Sequence, residues 1–495
     1  MKFIKILTIL LLIQFKAYAL IEVDITRGNL SPLPVAVSSL SSDKNSIKEF
    51  EKKLNVKDLG SEISIIVENN LRQTGLFNPL EKDAFLQKPD IAHFKPRFED
   101  WKLIKAQALI TGKVEIIDEK LRVEFRLWDV LAAKEMLAIA FTTVPTNWRR
   151  VGHIITDKVY ERLTGEKGYF DTRIIYVSEE GPKTQRIKKL AIMDQDGANN
   201  KFLTLGNELV LTPRFNPASQ MVTYLSYFKN MPRVYLLDIE TGTQEVVGDF
   251  PGMTFAPRFS PDGKFLSFIR DQDLFVIDLG SGETSQLTND GGGVISNGVA
   301  EFIAQEEMHR YEGYWWSPDS SFIAFTRVDE SPVQLSQRYE IDADSFGVYD
   351  QRYPFAGTPN ANVQIGVIEV TSKQITRVAL DRHPESYISR VNWLCGGKDL
   401  AIQIQSRDQQ DLSLIFWNVE SHESKKILEE HSSSWINLNN NFHSLPDGLF
   451  IWGSERSGFN HLYLINQEGE IERHLTDGDW VVADVRGVDD NNRLY

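Results

Sequence analysis

Residues 257–282, PRFSPDGKFLSFIRDQDLFVIDLGSG, decide the fold: an Arg-Phe-Ser-Pro-Asp-Gly turn, a short alternating strand from Phe265 to Ile269, and a second turn at Asp278-Leu279-Gly280-Ser281-Gly282. The opening recurs as Pro213-Arg214-Phe215-Asn216-Pro217, as Trp315-Trp316-Ser317-Pro318-Asp319 and, more loosely, as Trp393-Leu394-Cys395-Gly396-Gly397. The closing turn recurs with Asp194, Asp238, Asp278, Glu369, Asn418 and Asn466 at its head, at intervals of 44, 40, 91, 49 and 48 residues. That is the period of a four-stranded propeller blade, with the long interval one blade carrying insertions. Proline fixes φ in the first turn and glycine tolerates positive φ. Strands such as Met221 to Tyr227, Phe322 to Val328 and Leu400 to Gln405 cannot bury their faces alone, and radial stacking covers them while leaving only short sheet edges. Six repeats are expected. Trp480 to Val488 and Arg493-Leu494-Tyr495 read as the opening strands of another, so the propeller has about six to seven blades with the last incomplete.

Working outward, the first 165 residues follow a different plan. Asp58 to Phe77 reads as an amphipathic helix, with Asp58 as N-cap, Ile63, Ile66, Val67 and Leu71 on one face and Gly75 at the C-terminal left-handed position. A hairpin follows, Ala108 to Ile117 and Leu121 to Leu127 about the turn Asp118-Glu119-Lys120, with Arg122, Glu124 and Arg126 facing water. Lys134 to Thr142 supplies a third strand, and Thr146 to Leu163 a second helix before Gly165. Leu20 to Arg27 alternates as a strand would, and Pro32-Leu33-Pro34 interrupts the chain before Val35-Ala36-Val37. Mixed elements followed by a run of strands give a two-domain α+β chain, a small N-terminal α/β domain and then an all-β propeller.

The net charge of −15 is spread along the chain, which argues for solubility and against nucleic acid or an anionic membrane surface as partner. Met1 to Lys5 is basic, Ile6 to Ile13 is apolar apart from Thr8, and Ala17-Tyr18-Ala19 offers small residues for cleavage. Residues 1–19 therefore read as a secretory signal that exports the chain, since the apolar run is too short to span a bilayer. The one cysteine, Cys395, permits no internal disulfide and reads as a buried small hydrophobe on an inner strand.

Catalytic and metal signatures are lacking. No G-x-S-x-G elbow occurs, the nine histidines form no H-E-x-x-H or Cys-His cluster, and Gly291-Gly292-Gly293 lacks the lysine and helix of a phosphate cradle. No catalytic residue, metal ligand or cofactor is expected. Trp315, Trp316 and Trp393 are expected to pack between blades.

Two resemblances overlay this reading. Residues from the signal to about Lys264 resemble the periplasmic TolB family of the Tol-Pal envelope system, through Ile21-Glu22-Val23-Asp24-Ile25-Thr26-Arg27-Gly28, Leu33-Pro34-Val35-Ala36, Leu71-Arg72-Gln73-Thr74-Gly75-Leu76-Phe77, Phe170 to Val177 and the blade turn. Beyond, the chain is similar to the β-propeller of bacterial dipeptidyl peptidase IV-like serine peptidases. That similarity is carried by Asn297-Gly298-Val299-Ala300-Glu301-Phe302, Gln305-Glu306-Glu307-Met308, Gly313 to Asp319, Arg327 to Val333, Tyr353 to Asn360 and Ser454 to Tyr463. The segments so implied are 1–19 signal peptide, 20–165 TolB-like N-terminal domain with its arm, 166–264 TolB-like blades and 265–495 peptidase-type blades, ending before a hydrolase domain.

The first resemblance implies an exported, non-catalytic adaptor acting in envelope integrity and cell division. Its arm, Leu20, Ile21, Glu22, Val23, Asp24, Ile25 and Thr26, would engage a TolA-like inner-membrane protein by strand addition, and its propeller face a Pal-like lipoprotein. The second implies the propeller portion of a prolyl dipeptidyl peptidase, in which Glu306 and Glu307 grip the free amine of a peptide by charge-assisted hydrogen bonds.

Overall fold

The computed structural model describes residues 31–488 apart from 43, 229–230 and 248–253, together with Leu494. The signal at 1–19 and the arm Leu20 to Thr26 lie outside the described residues. The chain divides into two compact units, residues 1–174 with 193–200, and residues 175–192 with 201–495.

In the first unit a mixed sheet runs β3 (Phe77–Pro79), β1 (Leu33–Val37), β4 (Ala108–Ile117), β5 (Lys120–Asp129), β6 (Lys134–Thr143), with β2 (Ser41–Ser42) paired to β4. β1 is parallel to both neighbours, whereas β4, β5 and β6 form an antiparallel meander. Alternation on β5 buries Leu121, Val123, Phe125 and Leu127 completely. Two helices cover that face, α2 (Leu59–Gln73), which follows the shorter α1 (Lys44–Leu54), and α5 (Trp148–Thr164). The Asp58 carboxylate caps α2 by accepting from Ser61 N at 3.0 Å, and Gly75 sits at φ 70° just past its end. On the opposite face α3 (Pro89–Ala92) and α4 (Phe98–Leu103) bring Ala92 and the fully buried Trp101 against Leu109 and Val130. Pro34 does not interrupt β1 as expected. Having no N–H, it pairs through its carbonyl, which accepts from Gln107 N at 2.9 Å, so the strand starts at Leu33.

The second unit is a run of antiparallel sheets in sequence order: a three-stranded one spanning 173–202 whose outer residues belong partly to the first unit, then four-stranded blades at 210–246, 254–286, 387–431 and 443–474. Between them, 295–377 forms the long fourth blade. Its innermost position is shared by Ile295–Asn297 and Tyr314–Trp316, both paired with Phe322–Asp329, and a separate hairpin, Leu335–Ile341 with Phe346–Arg352, is inserted before Asn362–Glu369. Those two insertions account for the 91-residue interval.

The repeated turns work as their chemistry predicts. Ser260 Oγ accepts from Phe265 N at 2.9 Å and donates to Asp262 at 2.6 Å, while Gly263 lies at φ 72°. In the closing turns Asp238, Asp278 and Asn418 each accept two backbone N–H groups at 2.8–2.9 Å, an Asx-turn repeated from blade to blade. Apolar side chains from successive sheets interleave, as where Ile323 and Phe325 of the fourth blade meet Ile269, Leu274 and Val276 of the third.

Two expectations fail here. Trp480 to Val488 forms no strand. It is tied to the sixth blade by Val482 N to Asn460 O, Val485 N to Asn441 Oδ1 and Asn460 Nδ2 to Val482 O, and Val488 makes a bridge to Leu494. Cys395 is exposed, not buried. It occupies the hairpin turn after Tyr387–Trp393, at the place proline takes in the sister blades, and its thiol donates to Ser444 O at 2.9 Å.

Candidate functional site

The fourth blade carries a cluster of charged and aromatic side chains. Residues 298–313 leave the sheet between its two inner strand pieces, and within them Phe302–Glu306 forms the short helix α6. A five-residue helix is below the length at which helices persist alone, so tertiary contacts must hold it. They do so at both ends. Glu301, directly before the helix, and Arg310, after it, form an ion pair at 2.6 Å with side chains only 6% and 4% exposed. Arg310 also donates to Glu312 O at 2.8 Å, its backbone N–H closes on Ala304 O at 2.8 Å, and its guanidinium lies 6.0 Å from the Trp315 ring centroid. Gly313 lets the return strand pass against the backbone of Gly298 and Val299, where a Cβ would come within 2.4 Å of main-chain atoms.

This frame presents Glu306 and Glu307 to solvent at the helix end. Beside the frame lies a cavity of about 300 Å³ whose walls include Glu301, Phe302, Glu330, Arg352, Asn360 and Tyr387. Neither Glu306 nor Glu307 lines it. The two exposed carboxylates thus stand apart from this cavity. The cavity does bring together three stretches far apart in sequence: Glu301 and Phe302, the turn Glu330 to Val333, and Tyr353 to Asn360. Phe302 meets Tyr353 edge-on at 5.1 Å, Tyr353 meets Phe355 at 4.7 Å, and Arg352 donates to Val333 O at 2.5 Å. Burial pushes the Glu330 carboxyl up, with the Arg352 charge opposing. Burial likewise pushes Tyr314 up to about 12, while its hydroxyl bonds to Ala256 O of the neighbouring blade.

Sequence reading missed Glu301, Arg310, Glu330 and Arg352. The signal was there, since a charged residue on each side of an insertion invites pairing, but burial is what separates a pair from two solvated side chains. The tryptophans pack between blades as expected: Trp393 stacks on Phe322 at 6.2 Å and donates to Trp315 O at 3.0 Å, and Trp316 donates to Ser267 Oγ at 2.8 Å. His153 lies with Asp194 and Asp196, their ligand-capable atoms all within 4.8 Å of one another.

Among the described residues no helix is long and apolar enough to cross a membrane. Residues 230–495 match the profile of the dipeptidyl peptidase IV N-terminal region, and residues 21–136 that of the TolB amino-terminal domain. The curated Tol-Pal system protein TolB of Pelagibacter ubique (strain HTCC1062) is 82% identical over 246 residues, which is 50% of this chain and 55% of that protein. The chain therefore spans about half the length of the curated relative it matches. Among solved structures, dipeptidyl peptidase 4 of Porphyromonas gingivalis superposes with TM-score 0.54 at 22% identity, covering 65% of this chain and 49% of its own. TolB of Acinetobacter baumannii aligns over 91% of this chain and 95% of its own at 19% identity and TM-score 0.48, too loosely to bear on the fold. With more than half of its residues inside the first match, the chain belongs to the dipeptidyl peptidase IV N-terminal-region family, and ahead of that region residues 21–136 are similar to the TolB amino-terminal domain.

Proposed function

We propose that this protein is an exported, non-catalytic adaptor of the Tol-Pal type. The observation that carries the reading is the 82% identity over 246 residues to a Tol-Pal system protein TolB. Residues 1–19 direct it to the periplasm, residues 20–165 form the partner-binding domain, and blades of TolB type (166–264) pass into blades of peptidase type (265–495). The arm Leu20 to Thr26 adds as a strand to a TolA-like inner-membrane protein, with main-chain hydrogen bonds giving affinity. A Pal-like lipoprotein binds the propeller. N-terminal sequencing of periplasmic material should begin at Leu20. Deleting Leu20 to Thr26 should abolish TolA binding and leave the melting temperature unchanged, because a terminal strand contributes little core. Equal affinity with and without the arm would refute its role.

A second reading is supported by the exposed Glu306 and Glu307 held on α6 by the buried Glu301–Arg310 pair. In that reading the propeller holds peptides with a free N-terminus. The sequence holds no G-x-S-x-G elbow to supply an activated serine, so an Xaa-Pro substrate should not turn over. Titration with an Xaa-Pro dipeptide should show at best roughly millimolar affinity, abolished in the Glu306→Gln/Glu307→Gln double variant. Binding unchanged in that variant would remove the pair from the site.

A further inference from the structure

The first unit holds a polar cluster that the adaptor reading does not use. His153, on the inner face of α5, is 2% exposed. Its Nε2 has no hydrogen-bond partner and lies 3.7 Å from Asp196 Oδ2, outside hydrogen-bond range. Asp194 and Asp196 come from the turn within residues 193–200, which belongs to the same compact unit. Four hydrogen bonds close that turn: Asp194 N donates to Ala198 O, Gly197 N to Asp194 O, Asn199 Nδ2 to Asp194 Oδ2 at 2.7 Å and Ala198 N to Asp196 Oδ1 at 3.1 Å. The Asp196 side chain keeps 18% of its surface exposed, so the cluster has a route to solvent. A buried nitrogen with nothing to bond is costly to leave unsatisfied, and one aimed at two carboxylates invites a cation between them.

We propose that His153, Asp194 and Asp196 form a binding site for a divalent first-row transition ion such as Zn2+, with the Arg149 guanidinium competing for the same Asp196 carboxylate. One imidazole and two carboxylates suit such ions, whereas Mg2+ and Ca2+ want oxygen alone. Two carboxylates and a neutral imidazole balance the ion's charge.

Arg149, one turn earlier on α5, is the obstacle. Its Nη2 donates to Asp196 Oδ2 and its guanidinium lies 5.3 Å from the Trp148 ring centroid, while its Nε is buried without a partner, so its hold on the carboxylate leaves one of its own donors unsatisfied. The ring must also present a lone pair at Nε2. At present Asn70 Nδ2 donates to His153 Nδ1 at 2.9 Å and to Thr156 Oγ1 at 3.2 Å, while Asn70 Oδ1 accepts from Gln195 Nε2 at 2.9 Å, leaving the ring proton on Nε2. Both partners are amides. Turning Asn70 and Gln195 over together keeps the bonds between them and to the ring, moves the proton to Nδ1 and frees Nε2. The Thr156 hydroxyl, now on Gly152 O, rotates to Asn70 Oδ1. Asn70 then becomes the carbonyl that orients a ligating histidine.

The test is calorimetric titration of untagged full-length protein with Zn2+, in a His431→Gln background that removes the exposed His431–Asp411 pair as a rival site. One-to-one binding is expected, weakened at least roughly tenfold by His153→Gln or Asp194→Asn and tightened by Arg149→Gln, the last being independent of any folding defect in the others. Co2+ should give visible absorption bands that disappear in the His153 variant, and Mg2+ and Ca2+ should not compete. No one-to-one binding in the wild-type chain, affinity unchanged by His153→Gln, or weaker binding in Arg149→Gln would each overturn the site.

Discussion

Removing the charge of Glu301 tests what holds the α6 insertion. Glu301→Gln keeps the shape of the side chain but leaves Arg310, 4% exposed, without its carboxylate. Arg310 retains Glu312 O and the face of Trp315, and its Nε is already unpartnered. The environment is cationic: Arg382 also draws on the charge of Glu301, and Arg390 feels Arg310 as a like charge while burial holds it below the usual guanidinium range. At 2.6 Å and an effective dielectric near 20 the gross attraction is roughly 6 kcal/mol, and breaking such a buried pair from one side costs about 3–5 kcal/mol. Urea unfolding followed by tryptophan fluorescence, with Trp315 beside Arg310 as reporter, should show a loss of that size. Adding Arg310→Met should restore part of it, because the uncompensated cation is then gone. The same Glu301→Gln change should weaken any dipeptide binding at Glu306 and Glu307. A loss under about 1 kcal/mol, or strict additivity in the double variant, would refute the idea that this pair frames the insertion.

Three further outcomes follow from particular groups. Burial lowers His93, His153 and His443, so the unfolded chain takes up protons first as pH falls below about 6.5. Their contribution to stability is present above that pH and lost below it down to the folded values, and urea midpoints at pH 7.5 and 5.5 should differ by less in His93→Gln. Gly313→Ala forces a Cβ to within 2.4 Å of the Gly298 and Val299 backbone and should cost about 1–3 kcal/mol, read as a lower midpoint for the propeller unit. Cys395→Ser should change stability by less than about 0.5 kcal/mol, and the native thiol should react with a thiol reagent without denaturant, since it is exposed.

Much of the architecture was written locally. Turn chemistry at Ser260 to Gly263 and at Asp238, Asp278 and Asn418 acts within five residues, alternation on β5 marks its buried face, and Asp58 caps its own helix, so each is visible without knowing what lies across the fold. What tertiary structure alone decided is where non-local partners meet. Cys395 reads as apolar by type, yet its place in a hairpin tip exposes it. Trp480 to Val488 has strand composition, but a strand needs a neighbour and this stretch bonds to asparagine side chains instead. Glu301 and Arg310 become one buried pair, and His153 meets Asp194 and Asp196, only because the chain folds back and excludes water there. Local hydrogen bonding is encoded in adjacent residues, whereas burial is a property of everything that packs around a site.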